Sequence, residues 1–104
     1  MLKAICRLGD TATGQCVAHS NTRNWTGTID TVSGGYDVAG VQGAVEDDSG
    51  LADCGHRFRI FSSSPISKNG IGKGVARVDD LVVMIPPGIG SGVLVTGSEI
   101  VFSE

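Results

Sequence analysis

Four side chains in this sequence have the types and spacing to bind a transition metal: Cys16 and His19 in a Cys-x-x-His, and Cys54 and His56 in a Cys-x-His. Two thiolates and two imidazoles form an S2N2 donor set. That set suits tetrahedral zinc, with iron as the alternative. A Cys-x-His spacing lets both side chains turn to one side of an extended segment, whereas Cys-x-x-His suits a turn. The 34 residues between His19 and Cys54 lie outside zinc-finger spacing, so no finger is predicted.

Other chemistry-bearing groups are weaker. Ser62, Ser63 and Ser64, with His56 and Asp79, supply the residue types of a serine hydrolase. No Gly-x-Ser-x-Gly elbow is there to hold a nucleophile. The stretches Gly70-Ile-Gly-Lys-Gly74 and Gly88-Ile-Gly-Ser-Gly92 resemble phosphate-cradling loops. Neither opens a predicted helix whose N-terminus would face an anion, so both read as turns. Glu46, Asp47 and Asp48 lack the alternating spacing of a calcium loop and read as a solvated segment. No catalytic residue is assigned, and the chain is not expected to be an enzyme.

The elements that position the cysteines and histidines follow from composition. The chain has 104 residues, enough for one domain over 1–104, with 8 basic and 11 acidic residues and a formal charge of −3. No basic cluster offers a nucleic-acid footprint. Five aromatic residues leave a thin, aliphatic core, and 16 glycines disfavour long helices, which excludes an all-α fold. The longest nearly apolar stretch, Leu81 to Gly90, is too short for a membrane helix and contains Pro86 and Pro87. The first residues do not read as a secretory signal, so synthesis and folding in the cytoplasm are expected. Three cysteines, an odd number, disfavour a disulfide framework. Short β-branched stretches (Arg59 to Phe61, Val75 to Val78, Leu81 to Val83, Val93 to Val95, Ile100 to Phe102) read as strands of three to six residues.

The chain also carries a divergent repeat. Ile5-Cys-Arg-Leu-Gly-Asp10 matches Val75-Ala-Arg-Val-Asp-Asp80 at an offset of 70, and a middle copy is read at Val38-Ala-Gly-Val41. Small or hydroxyl turns followed by an apolar residue keep the same phase at Thr26 to Ile29, Ser63 to Ile66 and Gly97 to Ile100. Cys6 then occupies the small buried position that Ala39 and Ala76 fill in the other copies. Arg7 with Asp10, and Arg77 with Asp80, are expected to satisfy turn backbones and each other.

Arg7-Leu-Gly-Asp10, Cys54-Gly-His56, the Ser-Ser-Pro turn, Gly72-Lys-Gly-Val-Ala-Arg-Val-Asp-Asp80 and Val95-Thr-Gly-Ser-Glu-Ile-Val-Phe102 together resemble the PAAR-repeat proteins over nearly the whole chain. The resemblance is clearest from Cys54 to Glu104. It implies an all-β fold, a small cone of short strands from three degenerate repeats (about 4–36, 37–73 and 74–104) with pseudo-threefold symmetry and a metal near the apex. It further implies a spike-tip, membrane-piercing cap of a contractile injection machine, of the phage tail or type VI secretion kind. Gly9 to Cys16 is closer to the phage-type variants. The expected location is therefore a virion tail tip or the tip of a secreted spike. The expected partner is a trimeric β-helical spike bearing one cap per trimer, with transient contact to a target-cell membrane and no small-molecule substrate. The family usually brings three histidines and a cysteine to the metal, whereas this chain has two histidines; Gln15 and Met84 stand near where a further histidine and a late cysteine fall. The expected metal is zinc or iron on Cys16, His19, Cys54 and His56. The alternative is a small zinc-dependent metalloenzyme on the same residues, which would keep an open coordination position.

Overall fold

A computed structural model describes residues 3–17, 22–33, 35–38, 40–64, 72–85 and 89–98, and the backbone of 102–103. Among these residues there are ten strands and no helix, as the glycine content and short β-branched runs predict.

Six strands close a barrel. They are β2 (Thr11–Cys16), β3 (Arg23–Thr31), β6 (Ser49–Ala52), β7 (Arg57–Ile60), β8 (Leu81–Ile85) and β9 (Gly90–Leu94), and they neighbour one another in that order. Every pairing is antiparallel. The strands form the hairpins β2–β3, β6–β7 and β8–β9, joined side to side by β3–β6, β7–β8 and β9–β2. Closure removes the open edges that a small sheet would otherwise expose. Two short pairs lie outside the barrel, β1 (Lys3–Ala4) with β10 (Phe102–Ser103), and β4 (Asp37–Val38) with β5 (Val41–Gln42). The molecule measures 41 × 24 × 24 Å, one long axis and two equal short ones.

Each hairpin begins just after a buried aspartate: Asp10 before β2, Asp48 before β6 and Asp80 before β8. All three carboxylates accept the backbone N–H three residues earlier, from Arg7, Val45 and Arg77, at 2.8, 2.9 and 2.8 Å. The same three residues return a carbonyl to the aspartate N–H. A hydroxyl closes each cluster, from Thr96, Ser33 and Ser62. The residue before each aspartate (Gly9, Asp47, Asp79) has positive φ. Only glycine and the short polar residues adopt that conformation readily, which is the physical content of the Gly-Asp and Asp-Asp dipeptides.

Four residues before each aspartate, the backbones join in a ring: the Cys6 N–H donates to Ala76, Ala76 to Ala44, and Ala44 to Cys6, at 2.9, 2.9 and 3.0 Å. Cys6, Ala44 and Ala76 are fully buried in the core beneath the barrel strands, so the position takes only small side chains. The middle segment in this arrangement is Gly43 to Asp48, not Val38 to Val41. The latter forms the β4–β5 hairpin, and its Val38 packs with Ile5, Val75 and Tyr36 in a second apolar cluster. The reading of Asp48 as a solvated residue is likewise corrected, since it is 3% exposed and holds the Val45 turn.

Inside the barrel the interior residues alternate along each strand, as in Trp25, Gly27 and Ile29 of β3. Trp25 stacks on Phe58 at a centroid distance of 5.3 Å. A Cβ at Gly27 would lie 2.7 Å from the Phe58 ring, so Thr26 to Ile29, read as a turn from sequence, is strand whose glycine makes room for an aromatic. Gly90-Ser-Gly92 is also strand, in β9; its glycines let that strand approach the carbonyls of Gln15 and Thr13 on β2.

Gly43 shows the same logic at the second cluster. Its missing side chain makes room for the Tyr36 ring, whose hydroxyl donates to the Ala44 carbonyl at 2.6 Å. Gly43→Ala is expected to destabilise the protein by about 1–3 kcal/mol through overpacking. In a Tyr36→Ala background the same change should be near neutral. Denaturant unfolding of the four proteins measures the coupling, and equal costs in both backgrounds would remove Tyr36 as the cause.

Candidate metal centre

Cys16 is the last residue of β2, while Cys54 and His56 lie in the turn joining β6 to β7. Both places belong to the hairpin-turn end of the barrel. The aspartate turns are at the other end, where β2, β6 and β8 begin.

The β6–β7 turn is specified locally. The Gly55 N–H donates to the Ala52 carbonyl and the Ala52 N–H to that of His56, both at 3.0 Å. Gly55 has φ of +93°, which favours glycine at that position. Asp53 ties the turn to β3: its N–H donates to the Thr26 carbonyl and its carboxylate accepts the Thr26 N–H. Cys54 and His56 are thereby held at one site beside the end of β2.

There His56 Nδ1 lies 3.8 Å from the sulfur of Cys16 and 3.8 Å from that of Cys54. All three donor atoms fall within 4.8 Å of one another. A tetrahedral zinc with bonds of about 2.3 Å to sulfur and 2.0–2.1 Å to nitrogen sets its ligand atoms about 3.6–3.8 Å apart. Cys16 is fully buried; Cys54 and His56 are half-buried. The group could thus hold a metal ion with small adjustments. It joins segments 38 residues apart, across the intervening β3.

Of the four ligands expected from sequence, the structure brings together Cys16, Cys54 and His56. His19 lies outside the described residues. Gln15 is exposed and reaches Asn24 at 3.4 Å, and Met84 is buried in the barrel core.

The remaining groups do not assemble a second centre of that kind among the described residues. Cys6 lies at the far end of the barrel, with its thiol donating to the Thr96 carbonyl at 3.2 Å. Burial, reinforced by the charges of Asp10 and Asp80, pushes that thiol well above its ordinary range. Ser62 is engaged with Asp80 and the Leu81 N–H near the start of β8, whereas His56 is at the opposite end of β7, so the hydrolase grouping is not formed. Arg77 and Arg7 clamp Asp80 and Asp10 through their guanidinium groups. The residue whose role the sequence reading missed is Asp48, taken as solvated although it shares the Asp-Asp dipeptide with Asp79-Asp80.

No protein-family model matches the chain, and no curated protein matches it.

Proposed function

We propose that this chain is a PAAR-like spike tip: a structural, non-catalytic cap that sits on a trimeric β-helical spike of a contractile injection machine and forms its membrane-piercing point. The observation that carries the reading is the ring of backbone hydrogen bonds among Cys6, Ala44 and Ala76, with its three matching aspartate turns. One chain that presents three like sectors can meet three identical subunits through similar edges. In this reading the three repeats are arranged about a pseudo-threefold axis running through that ring.

The hairpin-turn end is then the apex, and a zinc ion on Cys16, Cys54 and His56 pins it. A domain of this size has few core residues with which to stiffen a point. A structural metal supplies order that a thin core does not. The elongated shape, with two equal short axes, agrees with a tip. A phage tail is the setting closest to the Gly9 to Cys16 phrase.

The test is stoichiometry. Mixed with a trimeric β-helical spike from its own source, the protein is expected to form a complex of one cap to three spike subunits, measured by native mass spectrometry. A stable self-assembled oligomer with no affinity for the spike would overturn the reading. So would turnover of a substrate that is lost on metal removal.

A further inference from the structure

We propose that Cys16 and Cys54 are a site of reversible oxidative modification, converted to an intramolecular disulfide by peroxides whenever no metal occupies them. The proposal uses the residues of the metal reading but does not require that a metal ever bind.

Three observations carry it. The sulfurs belong to a group whose donor atoms all lie within 4.8 Å of one another, although the cysteines come from different hairpins. A disulfide needs a separation of about 2.05 Å, so the two must close by less than about 3 Å. The more accessible partner is Cys54, half-buried in a turn whose neighbours Asp53 and Gly55 are exposed. Cys16 is fixed, since β2 is paired on both sides there, to Arg23 and to Gly90. Finally, the third cysteine cannot compete: Cys6 is fully buried at the other end of β2.

Access sets the order of events. The half-buried Cys54 sulfur attacks a peroxide oxygen; the O–O bond breaks, an alcohol or water leaves, and a sulfenic acid forms. The Cys16 sulfur then attacks the Cys54 sulfur, the S–O bond breaks and water leaves with the thiol proton. Two thiols lose two electrons in total, and the peroxide gains them. The resulting bond would join β2 to the β6–β7 turn, the same two segments that the metal would join.

The experiment treats the full-length protein, with and without prior chelation, with equimolar hydrogen peroxide. In the chelated sample free thiols are expected to fall from three to one, with an intact mass lower by two hydrogens. A tryptic digest should link peptide 8–23 to peptide 24–57, and a thiol reductant should restore both. Cys16→Ser should form no such link. Stepwise oxygen addition to Cys54 with Cys16 still free, intermolecular dimers, or a link through Cys6 would each overturn the proposal. The metal reading fails separately: protein that never contains metal yet forms the bond supports the disulfide and sinks the zinc.

Discussion

Replacing Asp80 with alanine is expected to cost about 3–5 kcal/mol, the range for removing one member of a buried ion pair. Asp80 is 3% exposed and accepts bonds from the Arg77 N–H, from Nε and Nη2 of the Arg77 guanidinium at 3.1 and 2.8 Å, and from the Ser62 hydroxyl. Among the described residues, alanine would leave the half-buried Arg77 guanidinium with the Ser63 carbonyl as its hydrogen-bond partner. For a domain of this size the loss corresponds to a fall in melting temperature of more than roughly 10 °C. Asp48→Ala provides the comparison. Its carboxylate holds the Val45 N–H and the Ser33 hydroxyl but faces valine where the other turns have arginine. No guanidinium loses its partner there, only two uncharged donors to the carboxylate, so the cost should be about 1–3 kcal/mol. Denaturant melts of both variants rank them. A cost for Asp48→Ala equal to that for Asp80→Ala would show that the guanidinium contributes little and that the turn is held by its backbone bond alone.

Metal removal is expected to have the larger effect. Structural zinc contributes on the order of 10 kcal/mol in small domains. The purified protein should hold about one zinc per chain. Chelation should then lower its melting temperature steeply. Cys16→Ser and Cys54→Ser should begin at the lowered temperature and respond no further to chelator. Cys6→Ala, which places at that site the residue already found at positions 44 and 76, should keep its metal. Elemental analysis beside calorimetry checks all four proteins. Absence of metal in protein prepared without chelators, with unchanged melting of Cys54→Ser, would falsify the metal site and leave three buried or half-buried free thiols.

Much of the fold was legible because its signals are local. Short β-branched runs located β7, β8 and β9 to within a few residues. The Arg-x-x-Asp phrases located two of the three aspartate turns, with the predicted ion pairs. The middle turn was misplaced because its arginine is Val45, and because Val38-Ala-Gly-Val41 imitates the apolar spacing while forming a separate hairpin. The β2 and β3 strands were missed for a different reason. Their sequences, Thr-Ala-Thr-Gly-Gln-Cys and Arg-Asn-Trp-Thr-Gly-Thr-Ile-Asp-Thr, place glycine at interior positions, where the space is filled by a distant aromatic ring or by the backbone of the next strand. A glycine read alone signals a turn; only the partner shows that it is packing. In the candidate site, the residue types and the Cys-x-His turn were readable, whereas the approach of Cys16 depends on the pairing of β3 with both β2 and β6 in a curled sheet, which no local pattern encodes.

Barrel closure also sets when this protein can fold. β2 lies between β3, its neighbour in sequence, and β9, with Ala12 opposite Leu94; β1 finds its partner in β10. The backbone ring likewise needs Ala76 before Cys6 is satisfied. On the ribosome, therefore, the first hairpin emerges with an unpaired edge that nothing covers until the last one has been made. Folding must follow translation of nearly the whole chain, in the millisecond-to-second range typical of non-local β topologies. Until then the β2 edge is the surface through which two nascent copies would join incorrectly, which makes slow synthesis or truncation after β8 the conditions under which this protein should aggregate.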